Sequence, residues 1–173
     1  MYAGFWLRLR AFAIDYVLIF AYMGVVFLFS VFIMPSVQEW FQGSRITAQL
    51  SGFMLITLPV SLYFIVADSK IGKQSFGKRQ MHIKVVNHNN QLLSIGQATV
   101  RTLIKFLPWE LSHYMAYRMI YLGDGDLHQL DYWIGGVIYA LIFLYVFMVV
   151  FTKNKQSFYD RLLKTYVVNT RFS

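Results

Sequence analysis

Three stretches of this chain carry no charged side chain over the width of a membrane: residues 16–34, 46–67 and 132–152. About 20 apolar residues in a helix rising 1.5 Å each cross the hydrocarbon core of a bilayer. In lipid only the segment itself can satisfy its N–H and C=O groups, so each run is expected to be a helix. Apolar residues make up 57% and charged residues 14% of the chain, against about 45–50% and about 25% in soluble domains. Those proportions exclude a soluble enzyme and a disordered chain. The absence of Cys excludes a disulfide framework, a thiolate zinc site and a Cys nucleophile. Arg8 and Arg10 precede the first run, but no small-x-small cleavage site follows it, so it reads as a retained span.

Segment 94–122 is apolar in bulk but holds Arg101, Lys105, Glu110, His113 and Arg118, with Pro108 inside. Charge asymmetry decides whether it crosses. Segments 1–10, 68–96 and 153–173 hold twelve of the sixteen basic residues, whereas 123–131 holds none and carries Asp124, Asp126 and Asp131. Basic flanks mark the cytoplasmic side. Keeping all three basic segments inside requires 94–122 to cross. The expectation is an all-α membrane protein with four transmembrane helices, multi-pass, both termini cytoplasmic. The net charge of +8 then points to anionic lipid head groups as partners and not to nucleic acid.

An internal repeat organises the chain. Lys73-Gln74-Ser75-Phe76 recurs as Lys155-Gln156-Ser157-Phe158, Arg79 as Arg161, and Val85-Val86-Asn87 as Val167-Val168-Asn169, always 82 residues later. The same offset lays the second apolar run on the last. The residues read as one membrane domain, 1–173, of two parallel helical-hairpin repeats, about 1–87 and about 96–169. Segments 82–87 and 165–169 have strand character, which predicts a small cytoplasmic β element joining the repeats.

Tyr2-Ala3-Gly4-Phe5-Trp6-Leu7-Arg8-Leu9-Arg10-Ala11, with Asp15 beyond, resembles the opening of RDD-family membrane proteins. Ser75-Phe76-Gly77-Lys78-Arg79 followed by Ile83-Lys84-Val85-Val86, then Arg101, then Asp160 with Thr165 and Val167-Val168, resemble that family's later motifs, in order. Tyr159 stands where the family usually has His. The resemblance implies a bacterial cytoplasmic-membrane protein with a role in transporting a ligand.

Arg8, Ala11 and Asp15 share one helix face at spacings of i, i+3 and i+7. A carboxylate inside a span is costly and needs partners, so Arg8, Asp15, Arg101 and Asp160 are expected to form an ion-pair network. Small Ala11 lets another helix approach closely. Arg101 and Lys105 are expected to snorkel to the interface. Pro108 should free a carbonyl and break its helix. Beyond it, Glu110, His113, Tyr114, Tyr117, Arg118 and Tyr121 share a polar face. An ionisable residue at membrane depth is a transport candidate by default. Glu110 can take and release a proton, His113 can relay it near neutral pH, and Arg118 can tune the field. Lys73, Lys78, Arg79, Lys155 and Arg161 are candidates for binding lipid head groups.

The single Glu-x-x-His lacks the companion carboxylates of a di-iron bundle, and Asp124-Gly125-Asp126 lacks the remaining ligands of a calcium loop. No phosphate-cradling loop or nucleophile elbow is present. No enzyme activity, metal or cofactor is expected. Two functions remain: a small secondary transporter exchanging a monovalent cation or similar ligand for protons, expected as a homodimer because four spans make a thin wall, or a non-transporting adaptor that binds a membrane enzyme or anionic lipid.

Overall fold

A computed structural model describes residues 1–123 and 125–172; Asp124 of the acidic turn lies outside the described residues. The first apolar run belongs to α1 (Phe5–Leu28), which ends in a π-helical turn, Phe29–Ile33. A short α2 (Ser36–Gln42) leads to α3 (Arg45–Gly52), a second π-helical turn, Phe53–Thr57, and α4 (Leu58–Asp68). Then come α5 (Phe76–Gln80), β1 (Ile83–Asn87), α6 (Ile95–Leu122), α7 (Gln129–Phe151), α8 (Phe158–Leu162) and β2 (Thr165–Asn169).

Among the described residues, three helical stretches are long and apolar enough to cross a membrane: Phe5–Ile33, Arg45–Asp68 and Gln129–Phe151. Their outward side chains are bare. Phe20 is 63% exposed, Phe143 69% and Tyr139 76%, a density of apolar surface that water-soluble chains do not carry. Helix α6 has 28 residues, about 42 Å at 1.5 Å per residue. Ser94 caps its start, accepting from Gln97 N while Gln97 Oε1 accepts from Ser94 N. Near that start Arg101 meets Asp68 and Asp160. Near its other end the Tyr121 hydroxyl donates to the Phe41 and Gly43 carbonyls, in the link between α1 and α3. Helix α6 therefore runs the length of the bundle, packed on α4 and α7.

The expected break at Pro108 is absent, and α6 passes through it. Pro108 has no N–H for the Ile104 carbonyl four residues back. The Tyr145 hydroxyl of α7 donates to that oxygen at 2.6 Å. Pro59 in α4 likewise has no N–H for Leu55, and the Tyr22 hydroxyl of α1 donates to the Leu55 oxygen at 2.7 Å. At both prolines a carbonyl deprived of its intrahelical donor is bonded to a tyrosine on another helix.

Strands β1 and β2 pair antiparallel, with Val85 opposite Val167. Ala3, Ala11, Ile83, Val85, Leu93, Ala98 and Val167 form the small core beneath them. The segments leading into the strands have the same conformation. Helices α5 and α8, like the strands themselves, begin and end 82 residues apart. Lys73 and Lys155 both take left-handed backbone, with φ of 65° and 52°, as do His82 and Lys164 at 53° and 52°. The Gln74 amide donates to the Ile83 carbonyl, as Gln156 does to Thr165. The ends of the chain meet on this sheet: Ala3 N donates to the Val167 oxygen at 2.8 Å, and Asn169 N to the Met1 oxygen at 2.9 Å.

Candidate functional site

Five charged side chains from five elements form one buried chain where the helices meet the sheet. Arg8 of α1 bonds Asp160 of α8 at 2.6 Å. Arg101 of α6 reaches the same carboxylate at 2.8 Å and Asp68, the last residue of α4, also at 2.8 Å. Asp68 in turn holds Lys78 of α5. The side chains of Asp68, Arg101 and Asp160 are at most 3% exposed. Burial alone would raise the Asp160 carboxyl, but Arg101 and then Arg8 outweigh it and hold the group at about 2. Burial pushes the Lys78 ammonium below the usual lysine range, against the pull of Asp68.

Arg8, Arg101 and Asp160 are thus together, and Asp15, placed with them in the sequence reading, is not one of the pairs. Its carboxylate instead accepts three hydrogen bonds: from Ser75 Oγ at 2.6 Å, Gly77 N at 2.7 Å and the Tyr63 hydroxyl at 3.0 Å. It pins the first turn of α5 against α1, where a carboxylate facing free N–H groups is favoured. The close approach expected at Ala11 is there, with Gly77 as its partner. A Cβ on Gly77 would lie 1.9 Å from the Ala11 carbonyl oxygen.

Asp68 belongs to none of the motifs read from the residues, and Lys78 is placed there as a lipid contact. The structure corrects that placement, because Lys78 is buried and ion-paired. Lys73, Arg79 and Arg161 are exposed, and Lys155 is partly buried with its ammonium on the Val150 carbonyl. One signal was available for Lys78. The 82-residue offset that aligns Ser75 with Ser157 also aligns Lys78 with Asp160, opposite charges at matching positions in two otherwise similar motifs.

Arg101 and Lys105 do not snorkel. Arg101 is locked between two aspartates, and its guanidinium carbon lies 5.0 Å from the Tyr159 ring centre, so the tyrosine standing in the place of His packs on the network. Lys105 points inward, its ammonium 4.2 Å from the centre of Phe64 and 5.3 Å from that of Phe12. It borders a cavity of about 320 Å³ between α1 and α7, together with Arg8, Asp15, Lys78 and Arg101.

Glu110 and His113 are neighbours on α6, with Glu110 Oε1 3.4 Å from His113 Nδ1. Thr57, at the end of the second π-helical turn, brings its hydroxyl within 3.5 Å of the same nitrogen. The Glu110 oxygen is buried and makes no hydrogen bond of good geometry. His113 also borders a second cavity, about 210 Å³, with Tyr16, Thr57 and Trp109 among its walls. Arg118 is not part of this cluster. It pairs with Asp131 at the start of α7, whose other oxygen caps that helix by accepting from His128 N at 2.9 Å.

No curated protein and no solved structure matches the chain. A sequence model of the RDD family does, over residues 2–164. That range takes in Arg8, Asp15, Arg101 and Asp160, together with the three helical stretches suited to a membrane, and the chain belongs to the RDD family.

Proposed function

We propose that the chain is a small secondary transporter that exchanges a monovalent cation for a proton at Glu110 and His113, without catalysing a covalent reaction. The observation that carries this reading is the isolation of Glu110. Asp68 and Asp160 have basic partners, Asp131 has Arg118, and Asp15 is saturated by three donors. Among the described residues, Glu110 has His113 and nearby Thr57 and no Lys or Arg partner. A carboxylate in mid-helix without a fixed cation can hold either a proton or a small cation.

The membrane arrangement belongs to the same proposal: four crossings in a bacterial cytoplasmic membrane, with both termini inside. Two facts support it. The chain ends share one sheet, as they would after an even number of crossings. Helix α6 reaches from that sheet to the opposite end of the bundle. We read the matched α5–β1 and α8–β2 segments as halves of a duplicated hairpin, related about the Val85–Val167 pair. A homodimer would supply the second wall of a pathway.

The test is proton flux in proteoliposomes under an imposed pH gradient, with sodium, lithium or potassium added outside. Cation-dependent collapse of the gradient that disappears in a folded Glu110→Gln protein is the expected result. Absence of flux with every cation would sink the exchanger. The exposed Lys73, Arg79 and Arg161 favour, as a second reading, an adaptor that docks an acidic partner or anionic lipid. Charge reversal at Lys73 and Arg79 would then abolish binding while Glu110→Gln left it intact.

A further inference from the structure

The cavity beside the ion network holds one cation that the network does not use. It is a half-open space of about 320 Å³ in which Phe5, Leu9 and Phe12 of α1 face Ile142, Val146 and Val149 of α7. Arg8, Lys78 and Arg101 also border it, but each is matched by Asp68 or Asp160 from behind. Asp15 is held by its three donors. Lys105 differs. Among the described residues it has neither hydrogen-bond nor ion-pair partner, and its ammonium rests over the faces of Phe12, Phe64 and Phe106.

Lys105 is half-buried; an ammonium there with no carboxylate in contact is costly, and aromatic faces offset only part of that cost. Loss of the proton is one remedy; an anion, which the half-open cavity admits, is the other. The rest of the wall states what else the anion carries, because six apolar side chains from two helices make a slot for hydrocarbon. We propose that this cavity binds a long-chain carboxylate, its head group on Lys105 and its chain between α1 and α7. Arg8, Lys78, Arg101 and Lys105 face the three carboxylates Asp15, Asp68 and Asp160, and that surplus of one calls for a single negative charge. The volume is at the small end of ligand sites, which suits one acyl chain and excludes a whole two-chain phospholipid. Both helices present bare apolar surface outward, so the ligand enters from the lipid. The site shares no residue with Glu110 and His113, so this proposal and the exchange reading stand or fall separately.

Equilibrium binding of radiolabelled dodecanoate to the purified full chain in a non-ionic detergent tests it. Binding should saturate near one per chain. Lys105→Met should weaken it at least about tenfold, the factor expected from one charge-assisted contact, while Lys105→Arg retains it. Dodecanol, with the same chain and no charge, should compete at least about tenfold less well than the acid on the same grounds. Ile142→Trp fills the slot without touching the charge and should also weaken binding. If Lys105→Met does not fold, the competitor series on the unaltered chain and the Ile142→Trp protein decide. Undiminished binding in Lys105→Met, equal competition by dodecanol, or the absence of saturable binding would each overturn the proposal. So would displacement of dodecanoate by phosphatidylglycerol at lower concentration than by dodecanoate itself, which would make the groove a phospholipid site.

Discussion

Arg101 and Asp160 meet through two nitrogens on one oxygen: Nε at 2.9 Å and Nη2 at 2.8 Å from Asp160 Oδ1. The second oxygen of Asp160 is held by Arg8. One carboxylate thus ties α1 and α6 to α8. Removing it leaves the part-buried Arg8 without a counter-charge and the buried Arg101 with Asp68 alone. Asp160→Ala should cost about 3–5 kcal/mol, read as a lowered melting temperature in detergent. Its exposed neighbour Arg161, changed to Ala, should stay within about 0.5 kcal/mol.

Acid should act through the same residue. The Asp160 carboxyl sits at about 2 in the fold against an ordinary 3.8. A depressed carboxylate stabilises the fold fully above its unfolded value and stops doing so as pH falls through the folded one. Asp160 should therefore contribute on the order of 2 kcal/mol above about pH 4 and lose it between about pH 4 and about pH 2. An acid titration followed by circular dichroism should be flatter over that window in Asp160→Asn. Equal slopes in the two proteins would contradict it.

Gly77 lies on the backbone of α1, where a methyl group would meet the Ala11 carbonyl oxygen and crowd the Asp15 carboxyl. Backbone cannot swing aside as a flexible side chain can. Gly77→Ala should cost about 1–3 kcal/mol by forcing α5 off α1. The loosening should show as faster amide exchange at Gly77, whose N–H is bonded to Asp15. Gly96, with open space around its Cβ position, should tolerate Ala with little change.

Tyr145→Phe should expose the cost of Pro108. Without the hydroxyl, the Ile104 carbonyl has neither its helical donor nor its cross-helix one. The expected loss is about 1–3 kcal/mol. Restoring the helical N–H by Pro108→Ala in the same chain should recover most of it. A double variant no more stable than Tyr145→Phe alone would rule out this coupling.

Some of the site could be read from the residues in order, and some could not. Arg8, Arg101 and Asp160 stood out because charges flanking apolar runs must be paired. Asp15 stood out for the same reason, but its partners are a backbone N–H and two hydroxyls, donors that every sequence contains in abundance. Lys78 sits in a basic stretch and read as surface. Its burial follows from the Gly77 contact, which draws α5 down onto α1. Lys105 has a long flexible stem, and sequence alone does not say whether such a stem turns toward water or into a cavity. Arg118 has four acids near it along the chain, Glu110, Asp124, Asp126 and Asp131, and the packing of α7 on α6 selects Asp131.

The order of residues alone dictates long apolar helices, because uncharged runs of that length have no other way to satisfy their backbone in lipid. It also dictates the pair of short strands, because the V-V-N segments recur with β-forming residues and turn chemistry around them. Packing chooses which charges are partners. Asp68 and Arg101 are 33 residues apart, and Arg8 and Asp160 are 152 apart. Ion pairs at such separations are set by which helix ends converge, and that depends on close contacts such as Gly77 on Ala11 and Tyr145 on Ile104. Local sequence fixes each helix. The surfaces between helices fix the site.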